Sequence, residues 1–266
     1  MARKNIFDIL ESKGKVNYVA EYKSIENLLR TKINFTCVYY LLEKYFLQWE
    51  YRDTCINVDS LKIRLNIDEV DTKEKYLLYC ECIYNLLYHT GKLIDNDESR
   101  YCGNIVVAVA ENIGKSLEKI GYQMYKVSDE NKFIVVQKDY KVIEATNYVN
   151  EDIAYTLMVY NKYDLKGNVE EKKKVLIKLA TWHEKEKDNL EKIDKSLSKD
   201  IGFLFNNLNI RHNNVDKNSD FYKKVKSDIE QWYDRLYTLI VIAILTIEKE
   251  KISKQVKELK STTKEK

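Results

Sequence analysis

Residues 225–247 read VKSDIEQWYDRLYTLIVIAILTI, with an apolar side chain at every third or fourth position. This spacing puts the apolar groups on one helical face and predicts a helix from about Phe221 to Leu259. Between Leu239 and Leu245 the sequence is apolar all round. Such a stretch must be covered, so we expect it either in the centre of a core or in the seam of a homodimer.

The composition extends the helical prediction to the rest of the chain. The 266 residues include no proline and only 7 glycines, so little would interrupt a helix. Hydrophobic residues make up 44% and charged residues 33%, which is enough apolar material for a substantial core. A turn-dense β-sandwich, a collagen-like chain and a proline-rich linker protein are disfavoured.

Helical periodicity also recurs upstream of the final helix. The predicted segments are about 17–49 (one helix, or two joined near Lys32–Asn34), 72–89, 97–120, 151–163, 169–190 and 193–208. Thr72 is a suitable N-cap for the second of these segments, and Gly121 is a suitable stop for the third.

One stretch has the period of β-structure. Residues 122–127 alternate, residues 128–131 are turn formers, and residues 133–137 are β-branched and apolar, which predicts a hairpin at about 122–137. A lone hairpin is marginally stable in water. It must therefore pack on helices or pair with a third strand, and residues 140–148 are either that strand or a short helix.

The predicted fold class is therefore mainly α, a multi-helix bundle with one inserted β-hairpin. We expect three parts: an N-terminal helical part at 1–121, the hairpin insertion at 122–150, and a C-terminal helical part at 151–266.

Charge and cysteine usage limit the function classes. The net charge of +3 is too small to indicate nucleic-acid binding by itself. Residues 249–266 carry seven lysines against three glutamates, which favours a solvated helix end over a tail that follows phosphates. The five cysteines are odd in number and have no disulfide or metal-ligand spacing, so we expect them buried and reduced. The five are Cys37, Cys55, Cys80, Cys82 and Cys102.

Targeting and ligand motifs are also missing from the sequence. The first residues carry no signal-peptide pattern, and the longest apolar run is too short to span a bilayer. There is no glycine-rich phosphate loop, nucleophile elbow or HExxH motif. We therefore predict a cytoplasmic protein with no membrane partner, no metal and no cofactor. Residues 95–98, Asp-Asn-Asp-Glu, could bind a cation, but a solvated turn is favoured.

One polar segment stands out, Asn206–Asn214, which reads NNLNIRHNN. Its side chains could simply cap the two flanking helices. Alternatively, Arg211 and His212 face a phosphate as catalytic residues, and Asn207, Asn213 and Asn214 bind the substrate. An arginine that holds phosphate and a histidine that moves a proton near neutral pH are the minimum parts for metal-independent RNA cleavage.

The other histidines and two tyrosines have simpler expectations. His89 is expected at a helix end, where the macrodipole favours a cation, and His183 is expected half exposed in a charged helix. Tyr222 and Tyr233 are the tyrosines close enough to Arg211 in sequence to stack on RNA.

An arginine followed directly by a polar residue, just before a long C-terminal helix, resembles the HEPN superfamily of abortive-infection, toxin–antitoxin and CRISPR-associated proteins. The family pattern is Arg, four to six residues, then His. Arg211 and His212 match its beginning, but Asp216, Lys217 and Asn218 occupy the positions of the closing histidine. The resemblance covers roughly Asp188–Lys260.

The resemblance implies an RNA- or nucleotide-directed defence protein. It would be either a metal-independent endoribonuclease or a degenerate binder, and it would pair as a homodimer so that two Arg–His segments share one cleft. The alternative is a non-enzymatic adaptor or regulatory subunit of helical fold, in which Arg211 is held by helix carbonyls or a carboxylate and a protein partner binds elsewhere.

Overall fold

The computed structural model describes residues 16–33, 36–94, 96–127, 130–210 and 220–264. It is 75% helical, and among these residues it has one antiparallel hairpin, which confirms the predicted fold class. Contacts divide the chain into two compact units, Met1–Lys138 and Asp139–Lys266. The hairpin belongs to the first of these units, and the expected three-part division stays a prediction.

The first unit is built around one central helix. Its helices are α1 (Tyr18–Arg30), α2 (Val38–Phe46), α3 (Val58–Arg64), α4 (Lys73–Gly91) and α5 (Asn96–Lys119), followed by strands β1 (Tyr122–Lys126) and β2 (Phe133–Gln137). The segment predicted at 17–49 is therefore two helices. Helix α4 packs against α2, α5 and β2, and the Thr72 hydroxyl caps it by accepting from the Lys75 N–H at 3.3 Å.

The hairpin is stabilised by side chains of α4 in place of a third strand. The strands pair from Tyr122 with Gln137 to Lys126 with Phe133. The Asn85 side chain exchanges two hydrogen bonds with the Phe133 backbone, at 2.7 and 2.8 Å. A Glu81 carboxylate oxygen accepts from the Val135 N–H at 2.7 Å. Backbone groups on the open edge of β2 thus find partners on a helix.

A buried lysine ties three helices of the first unit together. Lys62 of α3 is 3% exposed, and its Nζ donates to Glu26 Oε1 of α1 at 2.6 Å. The hydroxyl of Tyr79 in α4 donates to the same oxygen at 2.7 Å. We call these three residues the Lys62 cluster.

Over the described residues of the second unit, the regular secondary structure consists of helices. Its helices are α6 (Tyr140–Thr146), α7 (Glu151–Tyr160), α8 (Val169–Ile193), α9 (Lys195–Asn207), α10 (Asp220–Val225) and α11 (Ile229–Lys264). Residues 140–146 are thus the helix of the two alternatives left open by the sequence. The single helix expected from Phe221 is interrupted by a 3₁₀ turn at Lys226–Asp228. Ser227 and Asp228 favour such a break because their side chains compete for backbone hydrogen bonds.

The apolar stretch at 239–245 lies in the core of the second unit. Ile240 and Ala243 are fully buried and Ile244 is 2% exposed, whereas Ile242 is 41% exposed. Helix α11 packs against α8, α9 and α6. The first of the two alternatives, a core helix, is confirmed within one chain, and the homodimer stays a prediction.

A second buried lysine has a similar role in this unit. Lys172 of α8 is 6% exposed, and its Nζ lies 2.8 Å from Glu230 Oε1 and 2.7 Å from Asp234 Oδ1, both on α11. The hydroxyl of Tyr160 in α7 donates to the same Asp234 oxygen at 2.8 Å. These four residues, the Lys172 cluster, join α7, α8 and α11.

The prediction of buried cysteines is confirmed for four of the five and is wrong for Cys37. All five cysteines are free; Cys37 is partly exposed and the other four are buried. Within the ranges that the structure describes, no helix has the length and apolar character needed to cross a membrane.

Candidate functional site

The predicted site divides at the end of α9. Arg211, His212, Asn213 and Asn214 lie outside the described residues. Asn207 is the last residue of α9, and its Nδ2 donates to the Phe203 backbone carbonyl at 2.8 Å. Its proposed contact with a substrate stays a prediction.

Helix α9 fixes the position at which the Asn206–Asn214 segment begins. The Asp194 carboxylate caps the start of the helix by accepting from the Leu197 N–H at 2.9 Å. Leu208 and Ile210, which follow the helix, are 0% and 3% exposed. Between them Asn209 has a φ of +56°, a left-handed conformation that asparagine tolerates better than most residues. The two flanking apolar side chains therefore anchor the chain up to the position before Arg211.

The outward side of α9 carries an aromatic ring between lysines and an amide. Lys195, Lys199, Phe203 and Asn207 follow each other at intervals of four, which places them along one helical face. Phe203 is 51% exposed, and both lysines are exposed. We call these four residues the junction face, because they lead along the surface to the Asn206–Asn214 segment.

Two expectations for side chains around this site are corrected. His183 is fully buried, not half exposed, and its ring centroid lies 5.8 Å from that of Phe205. It belongs to the stripe of α8 that faces α9, as the spacing of Leu176, Leu179 and His183 indicates. Tyr233 is 2% exposed, and its hydroxyl lies 3.5 Å from the Leu208 carbonyl oxygen. It is therefore no stacking surface for a base.

The helix that follows residues 211–219 is also anchored in the core. Helix α10 begins at Asp220, and its last residue, Val225, is 7% exposed. Tyr222, the other tyrosine considered for stacking, is partly exposed. Residues 211–219 are thus bracketed by Ile210 and Val225, two side chains in the apolar interior of the same unit.

No metal site is found where side chains are described. Over those residues there is no group of three or more histidine, cysteine, aspartate or glutamate side chains that could hold an ion. In the acidic stretch at 95–98, Asp95 lies outside the described residues, and the other three residues begin α5. A cation site there stays a hypothesis.

Comparisons of the chain with protein-family models, with curated proteins and with solved structures found no match. The resemblance to the HEPN superfamily therefore stays a prediction that rests on the residues of the chain.

The sequence did not single out Phe203 and Lys199, although a signal for them was present. A large apolar residue at four-residue spacing from two lysines, opposite the buried stripe of Leu197, Ile201 and Leu204, falls on the outward face of an amphipathic helix. Chemically, this face offers a ring on which a base can stack and cations that can contact phosphates.

Proposed function

We propose that the protein binds single-stranded RNA through the junction face and the segment that follows it, as a HEPN-like protein of the defence type. The half-exposed Phe203 in line with Lys195 and Lys199 is the observation that carries this proposal. Proteins that bind single strands combine aromatic rings that stack on bases with cations that follow the backbone. Arg211 would add a bidentate phosphate contact, and Asn207, Asn213 and Asn214 would orient the strand.

Any cleavage at this site would be metal-independent. His212 would remove the proton of the ribose 2′-hydroxyl, the oxygen would attack phosphorus, and Arg211 would stabilise the charge that develops there. The closing histidine of the family pattern is replaced in this chain. The leaving oxygen would then be protonated by His212 itself, by a homodimer mate or by water. We therefore expect the protein to bind RNA but to cleave it slowly.

The proposal is tested by fluorescence anisotropy with a labelled single-stranded RNA at fixed salt. Phe203→Ala should weaken binding about tenfold, because base–aromatic stacking contributes roughly 1–3 kcal/mol. Arg211→Ala should weaken binding more than Phe203→Ala does. Lys199→Ala should lower the slope of log affinity against log salt by about one.

Tyr140→Ala is the matched control, because Tyr140 is also an exposed aromatic residue of the second unit, at 72% exposure. It should leave RNA affinity unchanged. Equal losses in the two variants, or no detectable binding at low salt, would refute the proposal. His212→Ala should abolish any cleavage that persists in EDTA while it preserves binding.

A second candidate function is that of an adaptor, which the end of α11 favours. Ile252, Val256 and Leu259 are 48%, 40% and 66% exposed, and their spacing forms one apolar stripe on a helix rich in lysine. This combination suits an acidic amphipathic helix of a partner protein, which would cover the stripe and pair with the lysines.

The two functions are separated by one triple variant, Ile252→Ser, Val256→Ser and Leu259→Ser. An adaptor should lose affinity for a glutamate-rich amphipathic helical peptide, because the stripe is gone although every lysine remains. RNA affinity should be unaffected. If the unaltered protein fails to bind such a peptide, the adaptor function is ruled out.

A further inference from the structure

The first unit contains an apolar cavity between α4 and α5. It has a volume of about 330 Å³, which is within the range of small-molecule sites. Its lining is almost wholly apolar, and Val107 at its edge is 57% exposed. Its lining includes Tyr84, Leu87, Val106, Val107 and Ala110.

A second, polar cavity of about 160 Å³ adjoins the first, and the two share Tyr88 and Lys92. Glu50, His89 and Asn131 are among the residues that line it. We call these two neighbouring cavities the cleft: the first is apolar, and the second is lined by charged and amide groups.

Lys92 is held at the point where the two cavities meet. Its Nζ lies 4.3 Å from the centroid of the Tyr88 ring and donates to Asn131 Oδ1 at 2.6 Å. A second cation, Lys126 Nζ, lies 5.7 Å from the same ring centroid. An acidic group of a ligand would find its partner at this position.

The complementary group, an acceptor, is the Glu50 carboxylate, which lines the second cavity together with the His89 ring. The ring hydrogen-bonds to the backbone of Tyr45, and burial lowers its pKa. This corrects the expectation of a cation at the helix end: His89 is in the last turn of α4, but neutral imidazole is favoured. Its Nε2 atom is buried and has no hydrogen-bond partner among the described residues. The Glu50 carboxylate acts on the same ring and is exposed, so it can accept from a ligand.

We propose that this cleft binds the α-ammonium group of a large hydrophobic amino acid, either free or as the first residue of a peptide. The ammonium group donates to the Glu50 carboxylate. The adjacent carboxylate or carbonyl oxygen accepts from Lys92 Nζ and from the Asn131 amide. The side chain enters the apolar cavity between Leu87 and Val106.

The arrangement selects this ligand class by its polarity. A carboxylate acceptor and a pair of donors lie beside an apolar cavity, so a ligand needs a donor and an acceptor close together on an apolar body. A fatty acid offers no donor for Glu50. Covering the Glu50 carboxylate with a ligand that gives it no donor costs binding free energy, which disfavours such ligands.

Isothermal titration calorimetry on the full chain tests the proposal with four probes: L-phenylalanine, N-acetyl-L-phenylalanine, glycine and the peptide Phe-Gly-Gly. L-Phenylalanine, the peptide or both should bind. Glycine and the acetylated compound should bind at least tenfold more weakly. Binding of L-phenylalanine alone identifies a free amino acid, and tighter binding of the peptide identifies a peptide N-terminus.

Two variants locate the binding within the protein. Glu50→Gln should weaken binding about tenfold, and Val107→Glu should abolish it by placing a carboxylate at the apolar cavity. Val19→Glu is the matched control, because Val19 is a 40% exposed valine of α1. Failure of all four probes to bind, equal binding of the acetylated compound, or normal binding by both cleft variants would overturn the proposal.

Discussion

His89 and Cys80 lie on the same helix, and burial shifts the pKa of each side chain in the direction that favours its uncharged form. Burial lowers the pKa of the His89 imidazole and raises the pKa of the Cys80 thiol to about 12. The pKa of Cys82 is likewise raised to about 12 by burial. Since a thiolate is the reactive form of cysteine, these two thiols are structural side chains.

His89 should make the stability of the protein depend on pH as the pH falls below about 7. Because its pKa is lower in the folded chain than the ordinary value near 6.5, the unfolded chain binds a proton first as the pH falls. The stabilisation is therefore complete above about pH 6.5 and is lost as the pH falls toward the folded pKa, at no more than about 1.4 kcal/mol per pH unit.

Urea unfolding of the unaltered protein and of His89→Asn at several pH values measures this effect. Asparagine retains a donor for the Tyr45 backbone and does not titrate, so the variant should show a flatter dependence across this window. Parallel curves for the two proteins would contradict the assignment.

Helices in each unit are joined by a lysine that the sequence alone would place in solvent. Lys62 and Lys172 are 3% and 6% exposed. Lys62 lies against one carboxylate of α1, and Lys172 lies against two carboxylates of α11. A buried charge must be paired, so these clusters specify which helices adjoin. Their carboxylates keep partial solvent contact, which limits the desolvation cost.

Lys172→Met should lower the free energy of unfolding by about 2–4 kcal/mol, because Asp234 and Glu230 lose the cation that compensates them. Lys174→Met is the control on the same helix, since Lys174 pairs with Glu171 at the surface. Chemical denaturation followed by circular dichroism measures both variants. A loss in the control as large as that in Lys172→Met would show that the effect arises from helix α8 in general.

At the scale of the molecule, each unit has its own core with one helix at the centre. Helix α4 has buried residues on most of its circumference, from Tyr76 to Thr90. Helix α11 has this role in the second unit, where Leu236, Ile240 and Ala243 are fully buried. Beyond Lys251 the side chains of α11 are mostly exposed, so one helix serves both as a core element and as the lysine-rich surface of the adaptor alternative.

Ile240→Asp should unfold the second unit. An unpaired carboxylate in a filled core costs about 4–5 kcal/mol or more, which is comparable to the whole stability of many domains. Ile242→Asp should retain the helical spectrum, because Ile242 is 41% exposed. Thermal melts and sedimentation of both variants provide the measurement. Ile240→Asp with an unchanged melt would contradict the core position of this stretch.

The break in the chain that holds the candidate site lay within reach of sequence reasoning. The polar composition of Asn206–Asn214 marked a break between two apolar-faced helices, and the structure places Asn207 at the end of the first. Phe203 and Lys199 were missed because four-residue spacing was used to find buried stripes and not the outward face. The cleft beside His89 was unpredictable, since Glu50, His89 and Asn131 come together from three distant parts of the chain.

The sequence by itself determined that the chain is mainly helical, where the hairpin lies and which stretch of α11 must be covered. Those features depend on neighbours within a few residues, through backbone geometry and the period of apolar side chains. Tertiary structure alone decided that Asn85 and Glu81 complete the edge of the hairpin, that His183 is buried, and that two lysines are core residues. Each of these depends on contacts between residues far apart in the chain, which local periodicity does not encode.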